Sequence, residues 1–328
     1  MEYRRLGKSG LAISEIGLGG NNFGMRLNEP ESVAVVQYAL DAGINFIDSA
    51  EGYGQGLSEQ FVGKAVKGRR TEAIIATKFS SPSRYHILAA VEASLKRLDT
   101  DYIDVYYVHF PDITIPIAET LRTLDNLVKS GKVRYIACSN FASWQLCEAL
   151  WTSRVDHLEP FVAVQSQYNL LERGIESELV PCCESYGIGI IPYSPLAGGF
   201  LTGKYERGKP APAGTRYGTP QGGPPPAGTR GPRMPMPGGP RRSGPGFGQI
   251  LSAGNFDKLD KFQEFARGHG HTVEELAIAW LLAHSYVNSV IAGATKAAQI
   301  SAHVAAAEWK LSAQELAEVD GLTENTIV

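Results

Sequence analysis

The stretch YIDVYYVHFPDITIPIAETLRTLDNLVKSGKVRYIACS (102–139) decides the fold. It begins and ends with short apolar runs, YIDVYYVH (102–109) and VRYIACS (133–139), which lack the polar alternation of a sheet with one wet face. Such runs are typical of strands that are buried on both faces of a parallel sheet. Between them, Pro116 to Ser130 carries apolar residues at three- and four-residue spacing, and Gly131 is placed to end that helix. The stretch therefore predicts a strand–helix–strand unit.

The same alternation extends over the whole chain. We predict six further strands, at 16–20, 44–49, 73–78, 161–165, 188–194 and 289–293. Eight strand–helix units in 328 residues favour an α/β fold in which the parallel sheet closes into a (β/α)8, or TIM, barrel. YRRLG (3–7) and LAISE (11–15) precede the first unit and are expected to form an N-terminal β-hairpin. We expect residues 1–328 to form a single domain.

Capping residues mark where several helices begin. Asn28 with Pro30 predicts a helix near 30–42, because an asparagine side chain can cap the first turn and proline is preset to helical φ. The sequence has two capping boxes further on, Thr272 with Glu275 and Ser312 with Glu315. The range 84–98 shows the periodicity of an amphipathic helix.

Composition excludes several classes of protein. With 43% hydrophobic and 20% charged residues, a net charge of −3 and a pI near 6.2, the chain has no general affinity for nucleic acid or anionic membranes. It shows neither an apolar leader nor a stretch near the roughly 18 apolar residues of a membrane span, so we expect a cytoplasmic protein. No histidine or cysteine cluster has metal-ligand spacing, and no metal is predicted. The four cysteines, 138, 147, 182 and 183, are expected to be buried reduced thiols.

One segment, 208–248, interrupts the pattern. More than half of its residues are glycine or proline, six are lysine or arginine, and none is acidic. The string PAGTR occurs twice, at 212–216 and 226–230, which suggests a local duplication. Such a composition predicts a long flexible insertion after the seventh barrel strand. An inert loop, a lid over the cofactor or substrate, and a polyproline ligand at 232–235 are the three interpretations.

Four polar residues follow apolar runs: Asp48, Tyr53, Lys78 and His109. A phenol with a pKa of about 10 is a poor acid near neutrality, and a neighbouring ammonium would lower that pKa against the effect of burial. Asp48 can keep the lysine charged and in place, and His109 can donate a second hydrogen bond to a substrate oxygen. Taken alone, each of these residues is more simply explained by a structural role than by a catalytic one. Their joint position at the ends of consecutive strands predicts a tyrosine general acid for carbonyl reduction.

On these residues the sequence resembles the aldo-keto reductase family. The resemblance rests on GINFIDSAEGYGQGLSE (43–59), YIDVYYVHFPD (102–112), the stretch 116–141, IPYSPLAGGFLTGKY (191–205) and VIAGATKAAQI (290–300). It covers nearly the whole chain outside 208–248. It implies an NADPH-dependent barrel enzyme that reduces an aldehyde or ketone, with Asp48, Tyr53, Lys78 and His109 as its catalytic tetrad. Potassium-channel β subunits are similar in sequence but carry a different residue at the position of His109. A non-catalytic NADPH-binding regulator of that type is the alternative.

The resemblance also implies cofactor contacts. The residues assigned by motif are Gly20, Ser139, Asn140, Gln165, Tyr193, Ser194, Pro195, Leu196, Lys204, Gly293, Ala294, Thr295, Lys296 and Gln299. Of these, Ser139, Asn140 and Gln165 match the nicotinamide carboxamide site, and Tyr193 matches the aromatic that stacks on the ring. A lysine at the strand-to-helix junction, Lys296, suits the 2′-phosphate of NADPH. One departure lies nearby: Ala302 and His303 stand where the family often has Glu-Asn against adenine, and His303 is expected to be an exposed helix residue.

The substrate pocket is expected to be partly aromatic and open. The residues assigned to it are Asn21, Phe23, Phe79 and Phe110. Many family members have tryptophan where Asn21 or Phe110 stands, which would widen the pocket here. The partner is then a small carbonyl compound of undetermined identity, and the oligomeric state and the physiological direction of the reaction are left open by the sequence.

Overall fold

The computed structural model describes residues 1–218 and 250–323. Two short antiparallel strands come first, β1 (Tyr3–Arg5) and β2 (Ala12–Ser14). Eight parallel strands follow and close into a barrel: β3 (Ile16–Gly19), β4 (Phe46–Asp48), β5 (Ile74–Phe79), β6 (Ile103–Val108), β7 (Val133–Ser139), β8 (Ala163–Gln167), β9 (Gly189–Tyr193) and β10 (Val290–Gly293). The predicted barrel and hairpin are confirmed, and every predicted barrel strand lies within two residues of an observed one.

Helices surround the barrel. The described part of the chain contains α1 (Glu29–Asp41), α2 (Leu57–Ala65), α3 (Arg84–Leu98), α4 (Ile117–Lys129), α5 (Ser143–Asp156), α6 (Leu179–Tyr186), α7 (Ala253–Gly268), α8 (Val273–Ala283), α9 (Ala297–Ala306) and α10 (Ala313–Gly321). The predicted caps are confirmed. Asn28 caps α1 in a capping box with Glu31, and the Thr272 and Ser312 boxes begin α8 and α10.

Side chains alternate between the two faces of each strand, so the closed sheet separates two hydrophobic cores. Every strand from β4 to β10 packs at least one residue into the barrel interior, and β6 packs two: the residues are Phe46, Ala76, Val105, Tyr107, Ala137, Ala163, Ile191 and Ile291. The neighbouring positions, such as Ile47, Ile75 and Tyr106, point outward and pack against the helices. The larger core therefore lies between sheet and helices, and the smaller one fills the barrel.

The N-terminal hairpin closes the base of the barrel. Leu6 and Ile13 are fully buried and belong to the interior core. Beside them, the buried carboxylate of Glu15 meets Arg4 at 3.3 Å and Lys310 at 3.1 Å. Arg4 also donates to the carbonyl oxygens of Val287 and Leu282, so this cluster joins the start of the chain to its last third.

Two of the four cysteines depart from the expectation. Cys138 and Cys183 are free and buried, as predicted. Cys147 and Cys182 are free but only partly buried, because they lie at the outer contact between α5 and α6. Across residues 1–218 and 250–323, no helix is long and apolar enough to cross a membrane.

Candidate active site

The alternation of the strands assembles the site. Six of the predicted site residues stand two positions beyond a residue that packs inside the barrel: Asp48, Lys78, His109, Ser139, Gln165 and Tyr193. Since side chains two apart on a strand share a face, these positions form the next interior layer, at the carboxyl end of the sheet. That end is where (β/α)8 barrels carry their chemistry.

Asp48 and Lys78 form the central ion pair. Lys78 is fully buried at the end of β5 and donates to Asp48 Oδ2 at 2.6 Å and to the carbonyl oxygen of Ser49 at 2.8 Å. A buried ammonium is stable only when it is paired and hydrogen-bonded, and this lysine is both. Gly20 lies against the same strand end and donates its N–H to the Asp48 carbonyl at 2.7 Å, where a β-carbon would meet Ser58 Oγ at 2.8 Å.

Tyr53 approaches the pair from a short turn. It begins a 3₁₀ turn, Tyr53–Gly56, that follows β4, and Lys78 Nζ lies 5.1 Å from the centre of its ring. Gly54 in this turn has a φ of +55°, and a β-carbon there would lie 2.7 Å from the carbonyl oxygen of Phe23. Glycine at 54 therefore allows the tight turn that brings the phenol to the lysine.

The electrostatics differ in one respect from the sequence-based expectation. Burial raises the pKa of Tyr53, and the ammonium of Lys78 offsets this only in part, so the net shift is upward rather than downward. Burial lowers the pKa of Lys78, but Asp48 and Tyr53 outweigh it, and the pKa lies above its ordinary value. The site thus holds a neutral phenol next to a permanently charged ammonium.

His109 also lies beside the phenol. Its ring meets the Tyr53 ring edge-on, with 6.0 Å between the centres, and Phe110 stacks on the imidazole at 4.4 Å. The carbonyl oxygen of His109 accepts a hydrogen bond from Asn140 Nδ2 at 2.9 Å. The geometry brings all four residues of the predicted tetrad together.

A chain of hydrogen bonds joins the tetrad to the predicted nicotinamide site. Gln165 Nε2 donates to Asp48 Oδ1 at 2.9 Å, and Ser139 Oγ donates to the Gln165 carbonyl at 3.0 Å. Asn140 Nδ2 donates to Ser139 Oγ at 3.0 Å, and Tyr193 Oη donates to Asn140 Oδ1 at 2.9 Å. Asn140 has a φ of +62°, a conformation that non-glycine residues adopt at some energetic expense and that is common at functional sites.

The loop after β9, called the cradle below, contains a run of residues with positive φ. Ser194 and Ala197 have φ values of +56° and +47°, and two glycines, 198 and 199, follow with positive φ. A β-carbon at Gly199 would lie 2.3 Å from Lys204 Nζ. Pro195 and Leu196 lie within this loop between the strained residues. Burial lowers the pKa of Lys204.

Two residues of this cradle were missed by sequence analysis. Tyr217 Oη donates to the Ala197 carbonyl at 2.8 Å. A β-carbon at Gly198 would lie 3.2 Å from Arg216 Cδ, and the charge of Arg216 offsets a small part of the rise that burial causes in the pKa of Tyr53. The sequence did contain a signal for Arg216, because the first copy of the duplicated string PAGTR ends in this arginine. The second copy and most of the 208–248 segment lie outside the described residues.

The predicted 2′-phosphate site lies at the start of α9. Gly293 ends β10, Ala294 follows it, and Lys296 immediately precedes the helix. The Thr295 backbone N–H and hydroxyl both donate to Gln299 Oε1, at 2.8 and 3.0 Å. His303 is not exposed, as had been expected. It is buried between α9 and α8, with Nε2 3.4 Å from the Glu274 carboxylate.

Two of the four pocket assignments are not supported by the structure. Phe79 is fully buried and packs on Tyr106, because Lys78 points into the barrel and the next residue of a strand must point away. Phe23 is also fully buried, in the outer core. Phe110 and Asn21 are accessible at the mouth, and Asn21 Oδ1 lies close to Gly293.

A closed parallel barrel with a buried lysine–carboxylate–phenol group at its mouth defines the class of the protein. Residues 15–324 match the aldo/keto reductase family. The chain is 35% identical to aldo-keto reductase YhdN of Bacillus subtilis, over 100% of this chain and 95% of that protein. It is also 35% identical to a probable voltage-gated potassium channel subunit beta of Oryza sativa subsp. japonica, over 92% and 89%. The chain belongs to the aldo/keto reductase family, and thus to the oxidoreductases.

Proposed function

We propose that the protein reduces the carbonyl group of an aldehyde or ketone with NADPH, and that Tyr53 protonates the carbonyl oxygen. The observation that carries the proposal is the 2.6 Å Lys78–Asp48 pair beside the Tyr53 ring. NADPH would supply the hydride. Its nicotinamide would be held by Ser139, Asn140, Gln165 and Tyr193, its diphosphate by the cradle after β9, and its 2′-phosphate by Lys296 and its neighbours.

The protein residues have distinct roles in this reaction. Because burial raises its pKa, the Tyr53 phenol is protonated at neutral pH and can donate to a substrate oxygen. As the proton leaves, the ammonium of Lys78 stabilises the phenolate, and Asp48 holds Lys78 in place. His109, whose ring contacts that of Tyr53, donates a second hydrogen bond to the same oxygen and so orients the carbonyl.

The fit of the residues to a dinucleotide supports this assignment. The loop after β9 exposes backbone at two glycines and places Lys204 and Arg216 on them, which suits a diphosphate. The hydrogen-bond chain from Asp48 to Tyr193 makes the carboxamide site continuous with the proton donor. The buried His303 stands where the family often has a residue that contacts adenine, and we infer that binding depends mainly on the phosphates and the nicotinamide.

Turnover of NADPH with a panel of aldehydes and ketones tests the proposal. We expect Tyr53→Phe to lower kcat/KM by roughly 10²- to 10⁴-fold while NADPH affinity stays within about threefold. Tyr107→Phe is the matched control, because its buried ring lies 5.8 Å from Lys78 Nζ and outside the proposed proton path. Equal turnover by Tyr53→Phe and the wild type would exclude Tyr53 as the acid.

The second candidate function is an NADPH-binding regulatory subunit. Its support is the similarity to the probable channel subunits beta, among them one of Arabidopsis thaliana that is 34% identical. It requires NADPH binding with negligible turnover of every carbonyl in the panel. His109 favours the enzyme, since it stands where the channel subunits carry another residue.

A further inference from the structure

The contact between α5 and α6 is built from three residue pairs at regular intervals. Each pair joins residues 35 positions apart, and successive pairs are four residues, or about one helical turn, further along. The pairs are Ser143 Oγ to the Glu178 carbonyl at 3.4 Å, Cys147 Sγ to Cys182 Sγ at 3.2 Å, and Trp151 Nε1 to Tyr186 Oη at 3.0 Å. The two helices are therefore held in one register, with the thiol pair in the middle.

The two thiols in this contact differ from the other two. Cys138 and Cys183 are buried in the outer core, whereas Cys147 and Cys182 are partly exposed on the outside of the barrel. Their sulfurs need to approach by only about 1 Å to reach the bond length of a disulfide, about 2.05 Å. The hydrogen bonds one turn above and one turn below limit any sliding that would separate them.

We propose that Cys147 and Cys182 are a dithiol modification site, which closes into an intramolecular disulfide on reaction with a small-molecule disulfide such as oxidised glutathione. The Cys147 thiolate attacks the reagent, forms a mixed disulfide and expels one reagent thiolate. The Cys182 thiolate then attacks the Cys147 sulfur and expels the second. The protein loses two protons and two electrons, and the reagent is reduced to two thiols.

The order of attack follows from the surroundings of the sulfurs. Burial and the neighbouring Cys147 thiol raise the pKa of Cys182 to about 11, so its thiolate is scarce near neutrality. We therefore assign Cys182 the role of the resolving thiol in the proposed order. Cys182 does not itself have to reach the reagent, because the sulfur that it attacks, that of Cys147, is already adjacent.

The position of the pair predicts what the disulfide does. Helix α5 follows the β7 strand end with Ser139 and Asn140, and α6 precedes the β9 strand end with Tyr193, so the bond would link two adjacent barrel units. It would close a loop of 35 residues (182 − 147). Since neither sulfur belongs to the site, we expect activity within about twofold and a Tm higher by about 3 to 6 °C.

Intact-mass and peptide analysis of the full-length protein tests the site. The reduced chain is incubated with oxidised glutathione, desalted and weighed, then digested without reduction. We expect a loss of about 2 Da, corresponding to one disulfide, and a single cross-linked peptide joining Cys147 to Cys182. Tryptophan fluorescence should fall on oxidation and recover with dithiothreitol, because Trp151 lies one turn from Cys147.

Variants separate this site from general thiol reactivity. Cys183→Ala is the matched control, because it removes the adjacent buried thiol, and it should form the same disulfide to the same extent. Cys147→Ser should form none. An unchanged mass, a cross-link that involves Cys183, or formation only of intermolecular dimers would overturn the proposal. The result does not depend on the proposed reductase activity.

Discussion

The two ends of the barrel use a buried carboxylate for opposite purposes. At the mouth, Asp48 binds Lys78, which is itself fully enclosed, and the pair lies beside a phenol. At the base, Glu15 is equally buried but binds Arg4 and Lys310, whose side chains are 22% and 48% exposed. At the mouth, the buried charge of Lys78 thus acts on the neighbouring phenol. At the base, the ion pairs of Glu15 join distant parts of the chain. Substitutions at the two ends should separate activity from stability.

Lys78→Met should produce the largest effect. It removes the cation that stabilises the Tyr53 phenolate, so we expect kcat/KM for carbonyl reduction to fall by roughly 10³-fold or more. It also leaves Asp48 buried without its partner, which destabilises by about 3 to 5 kcal/mol. NADPH turnover and urea unfolding measure the two losses. Lys310→Met at the base is the control, and a comparable loss of activity there would contradict the separation.

Glu15→Gln should lower stability and leave catalysis unchanged. The substitution removes the charge that pairs with Arg4 and Lys310, and we expect a loss of about 2 to 3 kcal/mol in the free energy of unfolding. Turnover should stay within about twofold. Glu29→Gln is the matched control, since Glu29 pairs with Lys64 at the exposed surface and should contribute about 1 kcal/mol or less. If the two variants unfold alike, the base cluster has no special role.

The pH profile should report on the mouth alone. Burial raises the pKa of Tyr53, and the proposed reduction needs the protonated phenol, so we expect activity below that pKa and its loss above it. We expect kcat/KM to be level from pH 7 to about 10 and to fall about tenfold per pH unit beyond the pKa. Glu15→Gln should show the same profile. A decline that begins near pH 8 would mean that Lys78 lowers the pKa of Tyr53 more than burial raises it.

Arg216→Ala should give the smallest effect. Arg216 reaches the cradle after β9, and loss of one charged contact to the diphosphate should raise the Kd for NADPH roughly tenfold. Arg207→Ala is the control, because Arg207 precedes it by nine residues and binds Asp257 and Asp260 at 2.8 Å each. Cofactor fluorescence titration measures both. Equal affinities would show that Arg216 takes no part in binding.

The sequence predicted the fold well because the patterns that indicate strands and helix caps lie within short stretches of residues. Each strand is a short apolar run and each cap is a short motif, so the strands lie within two residues of their predicted places and Asn28, Thr272 and Ser312 cap as expected. The gathering of the four proposed catalytic residues at the mouth could be predicted for the same reason, since strand ends meet at one edge of a parallel sheet, and their catalytic roles stay predictions. The family resemblance added the cofactor residues, which stay predictions.

Other features depend on how distant segments pack. Phe79 looked like a pocket residue because it follows Lys78, but only the direction of the strand decides that it points outward. His303 looked exposed on its own helix, and α8 covers it. The thiol pair of Cys147 and Cys182 joins two helices that the sequence does not connect.

The sequence by itself determined the barrel, its helices and the kinds of side chain at the mouth, because strand burial and helix capping are set by neighbouring residues. Tertiary structure decided which of those side chains meet. It set the pKa of Tyr53 above its ordinary value, because desolvation depends on everything that surrounds the phenol. It also placed Arg216 on the loop after β9 and two thiols side by side, since such contacts arise only when the barrel closes.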